Sequence, residues 1–379
     1  MLNIIKYCGL HLGDGMEEIY MTCSYIVAID NTYSLTTNFL EQLLCIIARN
    51  DELIIVTDAC NNIDTIDYLE EKAKNNSQIK LIHLKSKVGF SGSNNIGIKN
   101  AKGETIIFIN SDIFPEINCI ENMINLLWSN DKIAAVQPLL IYPQSNLVQS
   151  AGHVFSDYRS GQLFNMRKPN DSVVQKNGKR QALTMALCAV KKDILTQLGG
   201  FDEYYFNSHE GLELTLKISL SGYSCFYCAN AIAYHCTGAA RSTCLFDASK
   251  QKAHFYQKWG NNLQYDLGEY FNLQITTEQL DTSYFCLNFS TSHQWDELLE
   301  KIHINVIQRS SFQERFLKDI NLFYCLPFSS LNYGGSFLFL CDNMAQLKKN
   351  HRWISLRKNC NDVIMDLDGN LVPLNYHIL

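Results

Sequence analysis

The stretch KVGFSGSNNIGIKNAKGETIIFINSD, residues 87–112, decides the fold class of this chain. Near its start are two glycines, Gly89 and Gly92. A helical pattern follows, and the stretch closes on the apolar run 106–109 and the acidic Asp112. Glycines let the backbone turn tightly and approach a ligand, and a helix that begins there favours phosphate. An acidic residue at the end of a buried strand is costly unless its charge is used. The stretch therefore predicts a helix between two strands, with a ligand at the end of the second strand.

Short apolar runs alternate with helical patterns around this stretch. The runs are YIVAID (25–30), LIIVTD (53–58), IKLIHL (79–84) and TIIFIN (105–110). Apolar residues at helical spacing follow the first and the fourth run: Leu40, Leu43, Leu44 and Ile47, and Ile120, Met123, Ile124 and Leu127. Runs that are apolar throughout suggest parallel strands covered on both faces, so we predict an α/β fold with an open, mostly parallel sheet. Ligands bind at the carboxyl ends of such strands, where Asp30, Asp58 and Asp112 lie.

The pattern changes after residue 130. Three extended segments, AAVQPLLIY, VQSAGHVF and RQALTMALCAV, precede a helix that starts near Glu210, two strands joined by a short turn within 224–236, and a helix over 248–259. No linker rich in Pro, Gly or Ser separates this part from the first. We therefore predict an N-terminal extension (1–23), one large domain (24–261) and a smaller C-terminal appendage (262–379).

The composition is that of a globular protein, because 46% of the 379 residues are apolar and 18% are charged. The net charge of −6 gives no general attraction to nucleic acid, so none is expected as a partner. The start, MLNIIKYCGLHLGDG, lacks the regions of a secretory signal, and no apolar run approaches the length of a membrane span. We therefore expect a cytoplasmic protein whose 14 cysteines are reduced.

One group of residues has the composition of a zinc site. Cys225, Cys228, His235 and Cys236 are close in sequence, and Cys-x-x-Cys followed by His-Cys is compatible with zinc. In a strand, however, the side chains of Cys225 and Cys228 point to opposite faces. Structural cysteines are therefore the better interpretation.

Three blocks, in order along the chain, resemble one family. The first contains KVGF, SGSNNIGI, AKGE and FINSD; the second is LGGFDEYYFNSHEGLELTLKISLSGY (198–223); the third is AYHCTGAARS (233–242). Over about residues 24–260 they resemble inverting family-2 glycosyltransferases with the GT-A fold, especially the bacterial rhamnosyltransferase-like branch. The resemblance implies transfer of a sugar from a nucleotide donor to an acceptor, with inversion at the anomeric carbon.

The resemblance also implies roles on the donor side. Asp112 is similar to the last acid of the Asp-x-Asp motif, which binds Mg²⁺ or Mn²⁺ at the donor diphosphate. His235 is similar to the distal histidine ligand, and a core histidine is the alternative. Asp58 resembles the acid that reads the nucleobase, and Asp30 is expected near the base and ribose. For either acid, the alternative is a cap of the helix that follows it. The other positions assigned to the donor are Gly89, Asn95, Asn110, Ser111 and Arg241.

The catalytic base is the position where this chain departs from the family pattern. The family has Asp as the second member of a Glu-Asp pair, and this chain has Gly211 after Glu210. Glu210 is the best substitute, with His209 and Glu213 behind it, because Glu210 and Glu213 share a face if a helix begins there. The alternatives are that Glu210 only caps this helix, or that catalysis has been lost. Lys217 is interpreted as a solvated charge on the same helix.

A second resemblance lies near the end of the sequence. DVIMDLDGNLV (362–372) resembles the first motif of haloacid-dehalogenase-type phosphatases, with Asp366 as nucleophile and Asp368 as acid. That fold needs further motifs downstream, and the sequence given ends at Leu379. Because Asp-Gly between apolar residues is also a common hairpin signal, we predict a hairpin here.

Taken together, the resemblance and the residues predict a metal-assisted glycosyltransferase. The expected donor is a dTDP- or UDP-sugar, and the expected acceptor is a saccharide, a lipid-linked glycan or a glycoprotein, with bacterial polysaccharide biosynthesis as the first setting. A lipid-linked acceptor implies peripheral association with the inner membrane face, and the appendage implies acceptor binding or a homo-oligomer. The main rival is a catalytically impaired GT-A protein that binds nucleotide sugar or a partner.

Overall fold

The structure is a computed structural model that describes residues 22–29, 33–156, 159–165, 167–236, 248–264 and 266, and the short stretches 284–288, 336–340, 362–365 and 371–373. Its helices are α1 (Tyr33–Ile46), α2 (Ile63–Asn75), α3 (Gly89–Asn100), α4 (Cys119–Trp128), α5 (Lys192–Leu198), α6 (Glu210–Leu220) and α7 (Ala248–Trp259), with a 3-10 turn at Gly260–Asn262. Its strands are β1 (Cys23–Ile29), β2 (Glu52–Asp58), β3 (Ile79–Leu84), β4 (Thr105–Ile109), β5 (Ile113–Pro115), β6 (Ile133–Tyr142), β7 (Leu147–Ser150), β8 (His153–Ser156), β9 (Arg159–Gln162), β10 (Gly178–Arg180), β11 (Leu187–Lys191), β12 (Ser224–His235), β13 (Tyr284–Asn288), β14 (Ser336–Leu340), β15 (Val363–Met365) and β16 (Leu371–Pro373).

A ten-stranded mixed sheet organises the larger part of the chain. Its main path runs β10-β12-β6-β11-β4-β1-β2-β3, with β5 paired to β12 and β7 paired to β6. The four predicted apolar runs form the block β4-β1-β2-β3, in which every pairing is parallel. The predicted strand, helix, strand order of residues 87–112 is confirmed by α3 and β4. One detail was wrong: β3 is the edge strand, and half of its length is only partly covered.

Helices cover both faces of this sheet. One apolar cluster contains the periodic residues expected for α1 and α4, with Leu40, Leu43, Ile120, Met123, Ile124 and Leu127 buried and Leu44 and Ile47 packed against them. A second cluster gathers residues of α5 and α6, including Ile194, Leu195, Leu214 and Ile218. The two clusters draw alternate residues from β1, β2 and β4, which is the arrangement of a doubly covered sheet.

The strand that ends at His235 differs from the expectation of two strands and a turn. β12 is a single strand paired in parallel with β6, and its register shifts between Cys228 and Ile232. Because the residues between them have no partner on β6, the interruption read from the sequence is an irregularity inside one strand. Cys225 and Cys228 do lie on opposite faces, in different apolar clusters. The cysteines that the structure describes are free thiols, and no group of three metal-binding side chains occurs among the described residues.

The chain divides into two compact units. The first falls within Met1–Val154 and Lys168–Leu263, and the second within Phe155–Arg167 and Gln264–Leu379. In the second unit, β13, β14 and β15 pair in parallel and β15 pairs with β16 in antiparallel fashion. The hairpin expected near Asp366 is therefore confirmed, whereas Asp366 and Asp368 lie outside the described residues. In the part of the chain that the structure describes, no helix is long and apolar enough to cross a membrane.

Candidate active site

The carboxyl ends of the parallel strands bring two of the three expected acids to one edge of the sheet. Asp58 is the last residue of β2, and Asp112 follows the end of β4. Both carboxyl groups are buried, with 7% and 3% of each residue exposed. Asp30 and Arg241, the two other charged residues expected at the donor, lie outside the described residues.

Asp58 is held by the start of α3. Its Oδ1 accepts a hydrogen bond from the Val88 N–H at 2.7 Å, and its Oδ2 accepts one from the Gly89 N–H at 2.9 Å. A carboxylate at a helix N-terminus satisfies free N–H groups and faces the positive end of the helix dipole. Asp58 therefore caps α3, whereas α2, the helix that follows Asp58 in sequence, is capped by Asn62.

The N–H groups of Val88, Gly89 and Phe90 at the start of α3 all donate to acceptors of the protein. After the two bonds to Asp58, the Phe90 N–H donates to the Phe206 carbonyl at 2.8 Å and to Asn207 Oδ1 at 3.0 Å. Gly89 has φ of +74°, and a Cβ there would lie 2.6 Å from Phe206. Gly89 therefore provides a left-handed turn against Phe206, and its contact with the donor stays a prediction.

Asn95 also has a role different from the expected donor contact. Its Oδ1 accepts from the Phe201 N–H at 2.9 Å, and its Nδ2 donates to the Phe201 carbonyl and to Glu203 Oε1, both at 3.0 Å. Gly200, with φ of +71°, lies against the same amide. Because both ends of its side chain are used, Asn95 holds the Gly200–Glu203 turn on α3, and its contact with the donor stays a prediction.

The Asn110–Asp112 turn is fixed by its backbone. The Asn110 N–H donates to the Ala186 carbonyl at 2.9 Å, and the Ile113 N–H donates back to the Asn110 carbonyl at 3.1 Å. Ser111 is 7% exposed and Asp112 is 3% exposed. The turn therefore presents a buried carboxylate from a rigid backbone rather than from a loose loop.

Strand pairing brings His235 to Asp112 from the opposite half of the sheet. His235 pairs with Ile113 in the β12–β5 ladder, and the Cys236 N–H donates to the Asp112 carbonyl at 2.9 Å. As a result, His235 Nε2 lies 3.3 Å from Asp112 Oδ1. The two residues expected to share a metal ion are thus neighbours, although they lie far apart in the sequence.

Gln149, which was not expected at the site, completes this group. Its Oε1 lies 2.8 Å from His235 Nδ1, and Gln149 is 6% exposed. The available signal was a polar residue within VQSAGH, a segment expected to be extended. With this amide oxygen as the acceptor, the proton of a neutral His235 ring would lie on Nδ1 and its lone pair on Nε2.

This geometry fits a cation. Asp112 Oδ1 is buried and has no hydrogen-bond partner among the described residues, although His235 Nε2 lies 3.3 Å from it. Adjacent ligands of an octahedral ion at 2.0–2.1 Å are separated by about 3 Å, close to this distance. Asp112 and His235 would therefore supply two ligands to such an ion.

The start of α6 holds two of the residues considered for the base. Glu210 is the first residue of α6 and is partly buried. His209 precedes it with φ of +67°, its Nδ1 lies 2.8 Å from Ser208 Oγ, and its ring packs on Phe255. Burial, together with the charge of Lys252, lowers the pKa of His209 to about 4. A histidine with such a pKa is a weak base, which leaves Glu210 as the stronger candidate.

Gly211 is tightly packed. It stands at the position where the resembled glycosyltransferase family has an aspartate. A Cβ at this position would lie 2.9 Å from Met185 Cγ and 3.1 Å from the Met185 backbone nitrogen. Met185 adjoins Ala186, whose carbonyl accepts from Asn110. Position 211 therefore faces the segment beside the Asn110–Asp112 turn, and the Met185 side chain takes the space of a larger residue.

Glu213, the third residue considered for the base, lies in an ion-pair cluster. It is 1% exposed, and Lys258 Nζ donates to its Oε1 at 3.1 Å while Lys217 Nζ lies 3.8 Å from its Oε2. Lys258 also donates to Asp202 Oδ2 at 2.8 Å, and Lys217 donates to the Gly200 carbonyl at 3.1 Å. Lys217 is therefore not a solvated charge, and this ion-pair cluster ties α6 to α7 and to the turn before α6.

Part of the chain is similar to a known protein family and to several curated proteins. Residues 24–197 match the family model Glycosyl transferase family 2. A protein of Haemophilus influenzae named "Uncharacterized glycosyltransferase" is 28% identical over 116 residues, 31% of this chain and 35% of the relative. "Putative glycosyltransferase EpsH" of Bacillus subtilis is 37% identical over 101 residues, 27% of this chain and 29% of the relative. The chain thus spans about a third of the length of these relatives.

Among solved structures, the chain is similar to GalNAc-T7, crystallised with UDP, GalNAc and Mn²⁺. The TM-score is 0.52 at 16% identity, over 68% of this chain and 52% of that chain. This likeness concerns the fold, and it confirms the expected α/β class with a largely parallel central sheet. The chain therefore has a GT-A-like fold, and its residues 24–197 are similar to Glycosyl transferase family 2.

Proposed function

We propose that this chain is a metal-assisted glycosyltransferase that moves a sugar from a nucleotide donor to an acceptor with inversion. The observation that carries the proposal is the pair formed by Asp112 and His235, in which a buried carboxylate oxygen lies 3.3 Å from an imidazole nitrogen. This pair lies at the carboxyl edge of the parallel strands, where open α/β sheets bind ligands. The match of residues 24–197 to Glycosyl transferase family 2 supports the same class of reaction.

Asp112 and His235 are the residues that would hold Mg²⁺ or Mn²⁺. When bound, such an ion supplies positive charge to the oxygens of a leaving diphosphate. Asn110 and Ser111 lie in the same rigid turn and are proposed to contact the donor. Asp58 is proposed to contact the nucleobase with the acceptor capacity that remains after it caps α3.

Glu210 is proposed as the base that activates the acceptor. The acceptor hydroxyl oxygen forms a bond to the anomeric carbon while the bond from that carbon to the diphosphate oxygen breaks, and the electron pair leaves with the diphosphate. Glu210 takes the hydroxyl proton. Attack opposite to the leaving group inverts the anomeric configuration. The position of Glu210 at the start of α6, next to the packed Gly211, supports this role.

The finer assignments follow from the resemblance to the rhamnosyltransferase-like branch. We propose a dTDP- or UDP-linked sugar as donor, with rhamnose or a hexose as the transferred group. The proposed acceptor is a saccharide, a lipid-linked glycan or a glycoprotein in surface-polysaccharide biosynthesis. Work on a lipid-linked acceptor would place the protein at the cytoplasmic membrane face.

The test is turnover of UDP-, dTDP- and GDP-sugars with Mn²⁺ or Mg²⁺, in wild type, Asp112→Ala and Glu210→Gln. We expect one donor to be turned over and both variants to lose activity. Glu210→Gln should still bind the nucleotide with metal, whereas Asp112→Ala should not. Turnover that is unchanged in Asp112→Ala would contradict the proposed metal role.

A second candidate is a protein that binds nucleotide sugar without transferring it. The packing of Gly211 against Met185 favours it, because no carboxylate can occupy the family position without moving Met185. The same assay separates the two candidates. A donor that binds with metal but is never consumed, with any acceptor and in water, would support the binding protein.

A further inference from the structure

A β-bulge sets the position of Gln149. In the β6–β7 ladder, Leu140 pairs with Ser150, but Ile141 pairs with Val148 instead of with Gln149. Gln149 is therefore the extra residue on β7. Bulges of this kind are common next to active sites, because they redirect one side chain out of the regular alternation.

The bulge is anchored by its neighbours. Ser150 Oγ accepts hydrogen bonds from Gln137 Nε2 on β6 and from the Gly152 N–H, both at 3.2 Å. β6 lies between β7 and β12, and Ile141 of β6 pairs with Tyr234, the residue before His235. The redirected Gln149 side chain thus reaches across β6 to the imidazole of His235.

The hydrogen bond to Gln149 decides whether Nε2 of His235, the nitrogen near Asp112, carries a proton or a lone pair. If the amide nitrogen of Gln149 faced Nδ1, Nδ1 would accept and the proton would sit on Nε2. In the structure the amide oxygen Oε1 is the atom that lies 2.8 Å from Nδ1. With Oε1 accepting from Nδ1–H, Nε2 keeps its lone pair for a cation.

We propose that Gln149 is a positioning residue that holds His235 in the Nδ1–H tautomer and so directs Nε2 to a divalent cation shared with Asp112. The inference rests on the proposed function for the identity of the ion, but its structural part does not depend on activity. Metal-binding histidines commonly donate their second N–H to an oxygen that fixes ring orientation. Here the oxygen comes from a bulge on a strand that is not adjacent to β12 in the sheet.

The first test measures the tautomer directly, in the full chain without metal. Two-bond ¹⁵N–¹H spectra of ¹⁵N-histidine-labelled protein are recorded in mildly alkaline solution, and His235→Gln assigns the signal. We expect the Nδ1–H form in wild type and in Gln149→Glu, which keeps an accepting oxygen. Gln149→Met, of similar length but without that acceptor, should shift His235 towards the Nε2–H form. An unchanged tautomer in folded Gln149→Met would overturn the proposal.

The second test measures Mn²⁺ affinity by titration followed by electron paramagnetic resonance, with UDP or dTDP present. Gln149→Met should bind Mn²⁺ roughly 10- to 100-fold more weakly, and Gln149→Glu should stay near wild type. Equal weakening in both variants would mean that Gln149 only supports the bulge, which overturns the proposal. If wild type binds no Mn²⁺, the metal-dependent transferase fails, and the tautomer measurement still decides the role of Gln149.

Discussion

Asp112 and Glu213 are buried carboxylates of the same unit, 3% and 1% exposed, but their surroundings are opposite. Glu213 lies between two lysines, which donate to it or lie within ion-pair distance. Asp112 faces an imidazole whose other nitrogen is held by Gln149. A buried charge is tolerated when it is paired. Glu213 is paired by lysines of the protein itself, whereas no lysine or arginine pairs with Asp112 among the described residues, in line with its proposed role as a metal ligand.

The largest effect on donor turnover is expected from Asp112→Asn, which removes the charge of the side chain and keeps its size. Loss of a metal ligand that supports the leaving group should reduce donor turnover by about 10³-fold. The free energy of unfolding should stay unchanged or rise, because an unbalanced buried charge is removed. Steady-state turnover and urea denaturation measure the two quantities. The control is Asp67→Asn, at an exposed position of α2, and full turnover in Asp112→Asn would refute the comparison.

Glu213→Gln should lower stability and leave turnover nearly unchanged, the reverse of Asp112→Asn. The free energy of unfolding should fall by about 2 kcal/mol, because Lys258 and Lys217 lose a charged partner in a partly buried cluster. Turnover per folded molecule should change only a few-fold. Urea denaturation is the measurement, and Glu71→Gln, at an exposed position of α2, should stay within about 0.5 kcal/mol of wild type. A stable Glu213→Gln without activity would mean that Glu213, and not Glu210, is the base.

A smaller effect is expected at Gly211. Gly211→Asp should lower the free energy of unfolding by about 1–3 kcal/mol, because its Cβ would press on Met185. Met185→Ala in the same chain should recover part of the loss. Gly260→Ala is the matched control, since a Cβ at Gly260 meets nothing within 4 Å. Thermal or urea unfolding measures the stability of these variants. A Gly211→Asp protein as stable as wild type would show that position 211 has room for a larger side chain.

The smallest effect concerns pH. Burial lowers the pKa of His209 to about 4 and that of His153 to about 3. The charge of Lys252 adds to the effect at His209, and the His209 ring adds to the effect at His153. At neutral pH both rings are largely uncharged, in the folded chain and in the unfolded chain. As pH falls below the usual histidine pKa of about 6.5, only the unfolded chain gains these protons, so stability falls with a slope of at most about 1.4 kcal/mol per pH unit for each ring.

Unfolding by urea at neutral and at mildly acidic pH measures this loss of stability. His153→Leu should make the loss smaller, because it removes a proton that only the unfolded chain binds. An unchanged pH dependence in His153→Leu would show that the His153 ring is not held neutral by burial.

The sequence was informative where the signal is local. Continuous apolar runs predicted β1 to β4, and helical spacing predicted the buried faces of α1 and α4, because each pattern reports which residues leave water. The Asp-Gly turn predicted the β15–β16 hairpin for a similarly local reason. The edge position of β3 was missed, since an apolar run does not tell how many neighbours a strand has.

Much of the site could not be read in this way, because it depends on partners that are distant in the chain. Asp58 caps α3 and not α2, and Asn95 is used by the Gly200–Glu203 turn. The bulge at Gln149 is a property of strand register, which no single strand encodes. The proximity of Asp112 and His235 was expected from family resemblance alone, and the β12–β5 pairing supplies its physical cause.

The most direct test of the contrast between the two acids is Mn²⁺ binding, with UDP or dTDP present, in wild type, Asp112→Asn and Glu213→Gln. The account predicts that wild type and folded Glu213→Gln bind Mn²⁺ alike and that Asp112→Asn does not bind it. Binding retained in Asp112→Asn, or lost in folded Glu213→Gln, would contradict the account.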